Sequence, residues 1–172
     1  MELRFIAPTL RQLDKLGGEV LACGLFEDER PWKGVAGLLD WRTAARLSRH
    51  AEGGALTGEL GEVVLVPGRP RLPFEKILLF GLGPKADFDE TAYAAVIERM
   101  LGTLSDLRVR MAVVERPGRH CGQLDAVRAV HLLMEACASY PNQDVWTLVE
   151  AVHDQKRIAQ HLAEERRRKR IR

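Results

Sequence analysis

A series of short apolar runs, each bounded by turn residues and separated by helical patterns, most constrains the fold of this chain. Each run is rich in valine, isoleucine or leucine, which is typical of strands buried on both faces of a sheet. The runs cover residues 3–7, 20–25, 63–66, 77–80, 111–114 and 145–149. Strands that alternate with helices predict an α/β fold, with helices on both faces of a mostly parallel sheet.

Four helices are predicted from apolar residues at helical spacing. The clearest covers residues 89–104, and Asp87 followed by Glu90 resembles a capping box at its start. The other three cover residues 35–49, residues 124–138, and a last helix from near Asp154 into the C-terminal tail. The segment 67–73 contains three prolines and a glycine, so we expect a connection there rather than a helix.

Length and composition exclude several classes of protein. A chain of 172 residues, 46% hydrophobic and 29% charged, can form a single domain with its own core. No apolar run approaches the roughly 20 residues that cross a bilayer, and the N-terminus does not resemble a secretory signal. Three cysteines without CxxC spacing indicate neither a disulfide framework nor a zinc knuckle. We therefore expect a cytoplasmic protein with no membrane partner.

Positive charge is concentrated at the C-terminus. The net charge is +2, and residues 1–165 carry −4, because six cations lie in the last seven residues: Arg166, Arg167, Arg168, Lys169, Arg170 and Arg172. We therefore divide the chain into a domain, 1–165, and a basic tail, 166–172. The tail could neutralise nucleic-acid phosphates, or it could be a solvated helix end favoured by the helix dipole.

Several segments, in order, resemble the N-terminal domain of the leucyl aminopeptidase family. They are the stretch 25–40 that begins LFEDERPWKG, GELGE at 58–62, FGLGP at 80–84, DFD at 87–89, DVWTLVE at 144–150, and the helical segment 154–168. The resemblance implies a macro-domain-like fold, a three-layer α/β/α sandwich with a mixed, mostly parallel sheet. It agrees with the fold class that the periodicity predicts.

The same resemblance has consequences for activity. In the family this domain precedes a larger catalytic domain that carries two metal ions, and the catalytic lysine, arginine and carboxylate ligands of that half match nothing here. We therefore expect no enzymatic activity, no catalytic residues, no metal and no cofactor. By resemblance, the chain would be an interaction or assembly module. It would form an oligomer with itself, bind a separately encoded peptidase-like chain, or do both.

A glycine loop gives the alternative hypothesis, a macro-domain-type binder of a phosphate-containing ligand such as ADP-ribose or a nucleotide. The loop follows a predicted strand and precedes a helix, which is where open α/β sheets bind ligands. The backbone N–H groups of Gly81 and Gly83 could approach a phosphate, and Lys85 could add a positive charge. Against this, Pro84 removes one donor and Asp87 would repel an anion, so a structural turn is the other interpretation.

The remaining polar residues do not form a recognisable site in the sequence. Glu27, Asp28 and Glu29 are consecutive, so their side chains diverge, and we expect a solvated loop. The five histidines are scattered: they are His50, His120, His131, His153 and His161. Of these, His131 lies near the apolar side of its helix, where a hydrogen-bonded boundary histidine is the expected outcome.

Overall fold

The predicted apolar runs form the strands of one six-stranded sheet. The computed structural model describes the backbone of residues 1–171 and the side chains through residue 168. The strands are β1 (Glu2–Ile6), β2 (Gly18–Leu25), β3 (Val63–Pro67), β4 (Phe74–Gly81), β5 (Met111–Glu115) and β6 (Val145–Val149). Their order is β1-β6-β5-β2-β4-β3, and all neighbours are parallel except β3, which is antiparallel to β4.

Six α-helices connect or flank the strands. They are α1 (Leu10–Leu16), α2 (Gly34–Arg42), α3 (Arg46–Glu52), α4 (Glu90–Asp106), α5 (Ala126–Ala136) and α6 (Val152–Ile171). None of these described helices carries an apolar stretch long enough to cross a membrane. Helix α6 continues through the expected boundary between residues 165 and 166, so the basic segment begins as part of a helix.

The two faces of the sheet bury separate cores. Helices α4, α5 and α6 pack on the face that carries Ala22, Phe80 and Trp146. Helices α1, α2 and α3 pack on the opposite face, against Leu21 and Leu79. Successive strand residues point to opposite faces, so strands that are apolar throughout require a helical layer on each side. The predicted three-layer α/β/α sandwich with a mixed sheet is confirmed.

The predicted helix 35–49 is in fact two helices. Thr43 ends α2 by donating its hydroxyl to the carbonyl of Leu39 at 2.8 Å. Ala44 and Ala45 then adopt left-handed φ values of 56° and 60°. The carboxylate of Asp40 accepts a hydrogen bond from the backbone N–H of Ser48 at 3.0 Å, near the start of α3. Side-chain hydrogen bonds to the backbone therefore interrupt a sequence whose apolar spacing is continuous.

Two further details differ from the sequence prediction. Helix α1 was not predicted, because its seven residues bury only Leu13 and are too few for a periodic signal. The N-cap of α4 is Asp89, whose carboxylate accepts from the N–H of Ala92 at 2.9 Å, and Asp87 lies in the preceding 3₁₀ turn. The proposed capping box at Asp87 was therefore wrong by two residues.

The two tyrosines allow a comparison between a buried hydroxyl that joins two helices and a hydroxyl at the surface. Tyr93 on α4 is fully buried and donates its hydroxyl to the carbonyl of Ala129 on α5 at 2.9 Å, whereas Tyr140 bonds Glu98 at the surface. We expect Tyr93→Phe to lower the free energy of unfolding by about 1 kcal/mol. Tyr140→Phe should lower it by less than about 0.5 kcal/mol. Urea unfolding measures both, and equal losses would contradict the assigned role of Tyr93.

Candidate functional site

The carboxyl ends of β2, β4, β5 and β6 meet at one edge of the sheet. The connection after β2 forms α2 and α3 on one face, whereas the connection after β5 forms α5 on the other. Neighbouring strands β2 and β5 therefore border the point where the connections diverge, and open α/β sheets usually bind ligands at such a point. In this chain, charged side chains of the protein itself occupy that position.

Glu115, the last residue of β5, fills the centre of this edge. Its two carboxylate oxygens accept hydrogen bonds from the backbone N–H of Val35, at 3.1 and 3.0 Å, at the start of α2. Arg119 donates to the same carboxylate from Nε at 3.0 Å. A Cβ at Gly34 would lie 2.6 Å from an oxygen of Glu115, and Gly34 has a φ of +61°. The helix can therefore begin this close to Glu115 only because residue 34 is glycine.

Burial dominates the electrostatics of Glu115. The side chain is 2% exposed, and its desolvation raises the pKa to about 7, although Arg119 and the N–H of Val35 act in the opposite direction. A carboxyl group that titrates near neutrality is a common feature of catalytic sites. Here its oxygens are bonded to Val35 and Arg119 and shielded from solvent, so the arrangement joins β5 to α2.

A second buried ion pair lies beside it. Arg116 donates from Nε to the carboxylate of Glu150, the residue that follows β6, and both side chains are almost fully buried. Burial raises the pKa of Glu150, and Arg116 opposes that rise. The pair joins the ends of β5 and β6 at the same edge of the sheet.

Glu29 is buried, which contradicts the expectation of a solvated acidic loop at this residue. Its side chain is 7% exposed and contacts Lys85 Nζ at 3.2 Å and His120 Nε2 at 2.7 Å. Burial lowers the pKa of His120, and Glu29 opposes that effect. Both partners of Glu29 are distant in the sequence, so neighbouring residues alone could not indicate its burial, whereas Glu27 and Asp28 are exposed as expected.

The sequence did contain a signal for this buried cluster. Glu115 ends one apolar run, and Glu150 directly follows another. A charged residue at the carboxyl end of a buried strand must be paired, ligated or protonated. That position, more than any motif, could have identified the two residues.

The glycine loop after β4 is hydrogen-bonded within the protein. The N–H of Gly81 donates to the carbonyl of Glu62 at 2.9 Å, and the N–H of Gly83 donates to that of Gly58 at 2.9 Å. The N–H of Lys85 bonds Asp28 at 3.0 Å. A phosphate at this loop would have to displace these bonds, so they favour the structural-turn interpretation. Binding by Gly81, Gly83 and Lys85 stays a prediction.

The basic residues of the C-terminal segment begin on the end of α6. Arg166, Arg167 and Arg168 lie on this helix, whereas the side chains of Lys169 and Arg170, and the whole of Arg172, lie outside the described residues. Nucleic-acid binding through these six residues stays a prediction.

One part of the sheet is not covered by helices. It is a groove of about 540 Å³ over the amino-terminal halves of β1, β6 and β5, which we call the sheet groove. Its lining includes Arg4, Leu16, Arg110, Met111, Val113 and Thr147. Helix α1 has only seven residues, and α2 contacts β2. Met111 is 55% exposed and Leu16 is 44% exposed.

A second concave surface is strongly basic. A cleft of about 270 Å³ lies between the α2–α3 connection and the hairpin of β3 and β4, and we call it the basic cleft. Four arginines line it: Arg46, Arg49, Arg69 and Arg71. Within the described part of the chain, none of the four pairs with a carboxylate, in contrast to Arg42, which pairs with Asp14. No motif in the sequence indicated this cleft.

The architecture and topology are those of the macrodomain fold. The macrodomain of Mycobacterium tuberculosis DarG superposes with a TM-score of 0.67 at 15% identity, over 87% of this chain and 99% of that one. A mutant of tomato leucine aminopeptidase superposes with a TM-score of 0.64 at 15% identity. That alignment covers 92% of this chain and 35% of the tomato enzyme. At these identities the likeness shows the fold.

Sequence comparison then identifies the family. A model of the cytosol aminopeptidase family, N-terminal domain, matches residues 22–140, and the chain belongs to this family, as its motifs predict. A probable cytosol aminopeptidase of Idiomarina loihiensis is 33% identical over 93 residues, which is 54% of this chain and 18% of that protein. The match is to the family's N-terminal domain and spans less than a fifth of this relative.

The pKa of Glu115 leads to a prediction for stability against pH. The folded chain holds the Glu115 proton to about pH 7, and the unfolded chain releases it near 4.5. The free energy of unfolding should therefore fall between these values as pH rises, by roughly 3 kcal/mol. Because glutamine cannot ionise, Glu115→Gln should become more stable relative to wild type across this interval. Urea unfolding at several pH values tests this, and parallel profiles would contradict it.

Proposed function

We propose that this domain is a non-catalytic interaction module that binds a separately encoded, peptidase-like chain through the sheet groove. The observation that carries the proposal is the uncovered part of the sheet. A three-layer sandwich normally covers both faces of its sheet, yet here Met111 and Leu16, which line the groove, remain exposed. An apolar floor with arginines at its rim has the composition of a protein–protein interface.

The closed carboxyl edge supports a non-catalytic role. Glu115, Arg116 and Glu150 are all almost fully buried, and their ion pairs fill the position where this fold would take a ligand. A ligand would have to break buried charge pairs, each costly to open.

The shape of the groove favours a different chain over a second copy. A two-fold dimer brings the same surface of each copy together, and two concave surfaces do not fill one another. Family membership supports a peptidase-like partner, because this chain aligns with only 35% of the tomato enzyme. Self-association is the other outcome that the experiment distinguishes.

The test is affinity capture with matched variants, followed by mass spectrometry. Met111→Lys places a charge on the floor of the sheet groove, whereas Leu65→Lys changes a similarly exposed residue, 48% exposed, on strand β3. We expect the wild type and Leu65→Lys to capture the same peptidase-like protein, and Met111→Lys to capture about tenfold less. Equal capture by Met111→Lys would exclude the groove, and a dimer in light scattering that Met111→Lys dissociates would show self-association.

The basic cleft supports a second candidate function, binding of a small ligand with several phosphate groups. Guanidinium groups match phosphate oxygens in geometry and charge. Arg46 and Arg49 are held by backbone carbonyls, those of Pro67 and Ala44, so part of the cleft is ordered before a ligand binds. Arg69 and Arg71 are exposed at its rim.

Thermal shift with tripolyphosphate and ADP-ribose tests this candidate. A ligand at a hundred times its dissociation constant adds about 2.7 kcal/mol, which should raise the unfolding midpoint by roughly 5–10 °C. Loss of the shift in the double variant Arg69→Ala/Arg71→Ala would assign binding to the basic cleft. Loss in Lys85→Ala would assign it to the glycine loop. A flat response of the wild type to both compounds would reject the second candidate.

A further inference from the structure

Two histidines and a glutamate converge where α5 lies against α6. His131 lies on α5, and His161 and Glu165 lie one turn apart on α6. One ligand atom from each lies within 4.8 Å of the others. We propose that these three residues bind a divalent transition-metal ion such as Zn²⁺. This site is separate from the sheet groove, the basic cleft and the buried charges at the carboxyl edge.

The spacing of the three ligand atoms fits one ion. The Oε1 atom of Glu165 lies 3.5 Å from Nδ1 of His131 and 3.5 Å from Nε2 of His161. In a tetrahedral zinc site with bonds of about 2.0–2.1 Å, neighbouring ligand atoms are about 3.3–3.4 Å apart. The two pairs that include Glu165 are close to that separation, and the two histidine nitrogens lie within 4.8 Å of each other. An ion could therefore enter with small side-chain rotations.

A fourth residue orients the first histidine. Nε2 of His131 lies 3.1 Å from Oε1 of Glu135, one turn further along α5. In the metal-bound state, a proton on Nε2 would leave the lone pair of Nδ1 for the ion. Histidines that bind metals usually donate their other ring nitrogen to a carboxylate in this way. Glu135 is therefore a positioning residue for the proposed site.

The carboxylate of Glu165 lies near both histidines. Its Oε1 atom is 3.5 Å from Nδ1 of His131. His161 contacts the same oxygen of Glu165, so one metal ion would satisfy both histidines at once.

The ligand set and its exposure define the class of ion. Two imidazoles and one carboxylate suit zinc and similar transition metals, in contrast to magnesium or calcium, which prefer oxygen ligands. The three side chains are about one-third exposed, so a water molecule or a partner group can complete the coordination. The ion would join α5 to α6 just beyond Ile158 and Leu162, the apolar residues that pack α6 on the core.

Titration calorimetry with ZnCl₂ on the chelator-treated full chain tests the proposal. We expect one ion per wild-type chain, a loss of more than about a hundredfold in affinity for His131→Ala and His161→Ala, and a loss of about tenfold to a hundredfold for Glu135→Gln. His153→Ala should bind like the wild type, because His153 is an exposed histidine on α6 away from the set. Unfolding midpoints in EDTA confirm that each variant folds.

Cys121 is the competing ligand that the experiment must exclude, because it is partly exposed next to His120. Cys121→Ser should retain wild-type zinc affinity. Cobalt bound by the wild type should show tetrahedral d–d absorption without a thiolate charge-transfer band. Retained zinc binding in both His131→Ala and His161→Ala, or no binding by the wild type, would overturn the proposal.

Discussion

The bond between the Glu115 carboxylate and the start of α2 is the contact on which the carboxyl edge depends. It places a charged group at the end of β5, where Val35 donates its N–H and Arg119 supplies the opposite charge. The contact orients α2 over one face of the sheet and fixes the turn that follows β5. Because a lone buried carboxylate is costly, these partners must be present together, and Gly34 is the residue that leaves room for them.

This arrangement affects which surfaces of the domain are open to a ligand or partner. A doubly wound fold usually offers its carboxyl edge to a ligand, but here the ion pairs of Glu115, Glu29 and Glu150 occupy that edge. The surfaces that remain open are elsewhere: the sheet groove at the amino-terminal halves of the strands, the basic cleft beside the β3–β4 hairpin, and the histidines on α5 and α6. The fold is that of a macrodomain, and these open surfaces carry the proposed functions.

Features that depend on local sequence patterns were predicted correctly, whereas features that depend on particular side-chain contacts were missed. All six strands were found within a few residues, because burial on both faces leaves continuous apolar runs. The long helix α4 was found because its apolar face repeats over many turns. The break at Thr43 was missed because it depends on side-chain hydrogen bonds, and α1 was missed because seven residues give too little periodicity. Glu29 was misjudged because its partners, Lys85 and His120, are remote in the sequence.

The sequence by itself determined the α/β class, the strands and the family, since each depends on local composition or on motifs in a fixed order. Tertiary structure alone decided which charges meet. Glu115 and Val35 are 80 residues apart, and His131 reaches His161 and Glu165 only because α5 packs on α6. Sequence spacing sets which residues share a strand or helix face, whereas contact between elements depends on how the helices cover the sheet. The candidate sites of this protein depend on contact between elements.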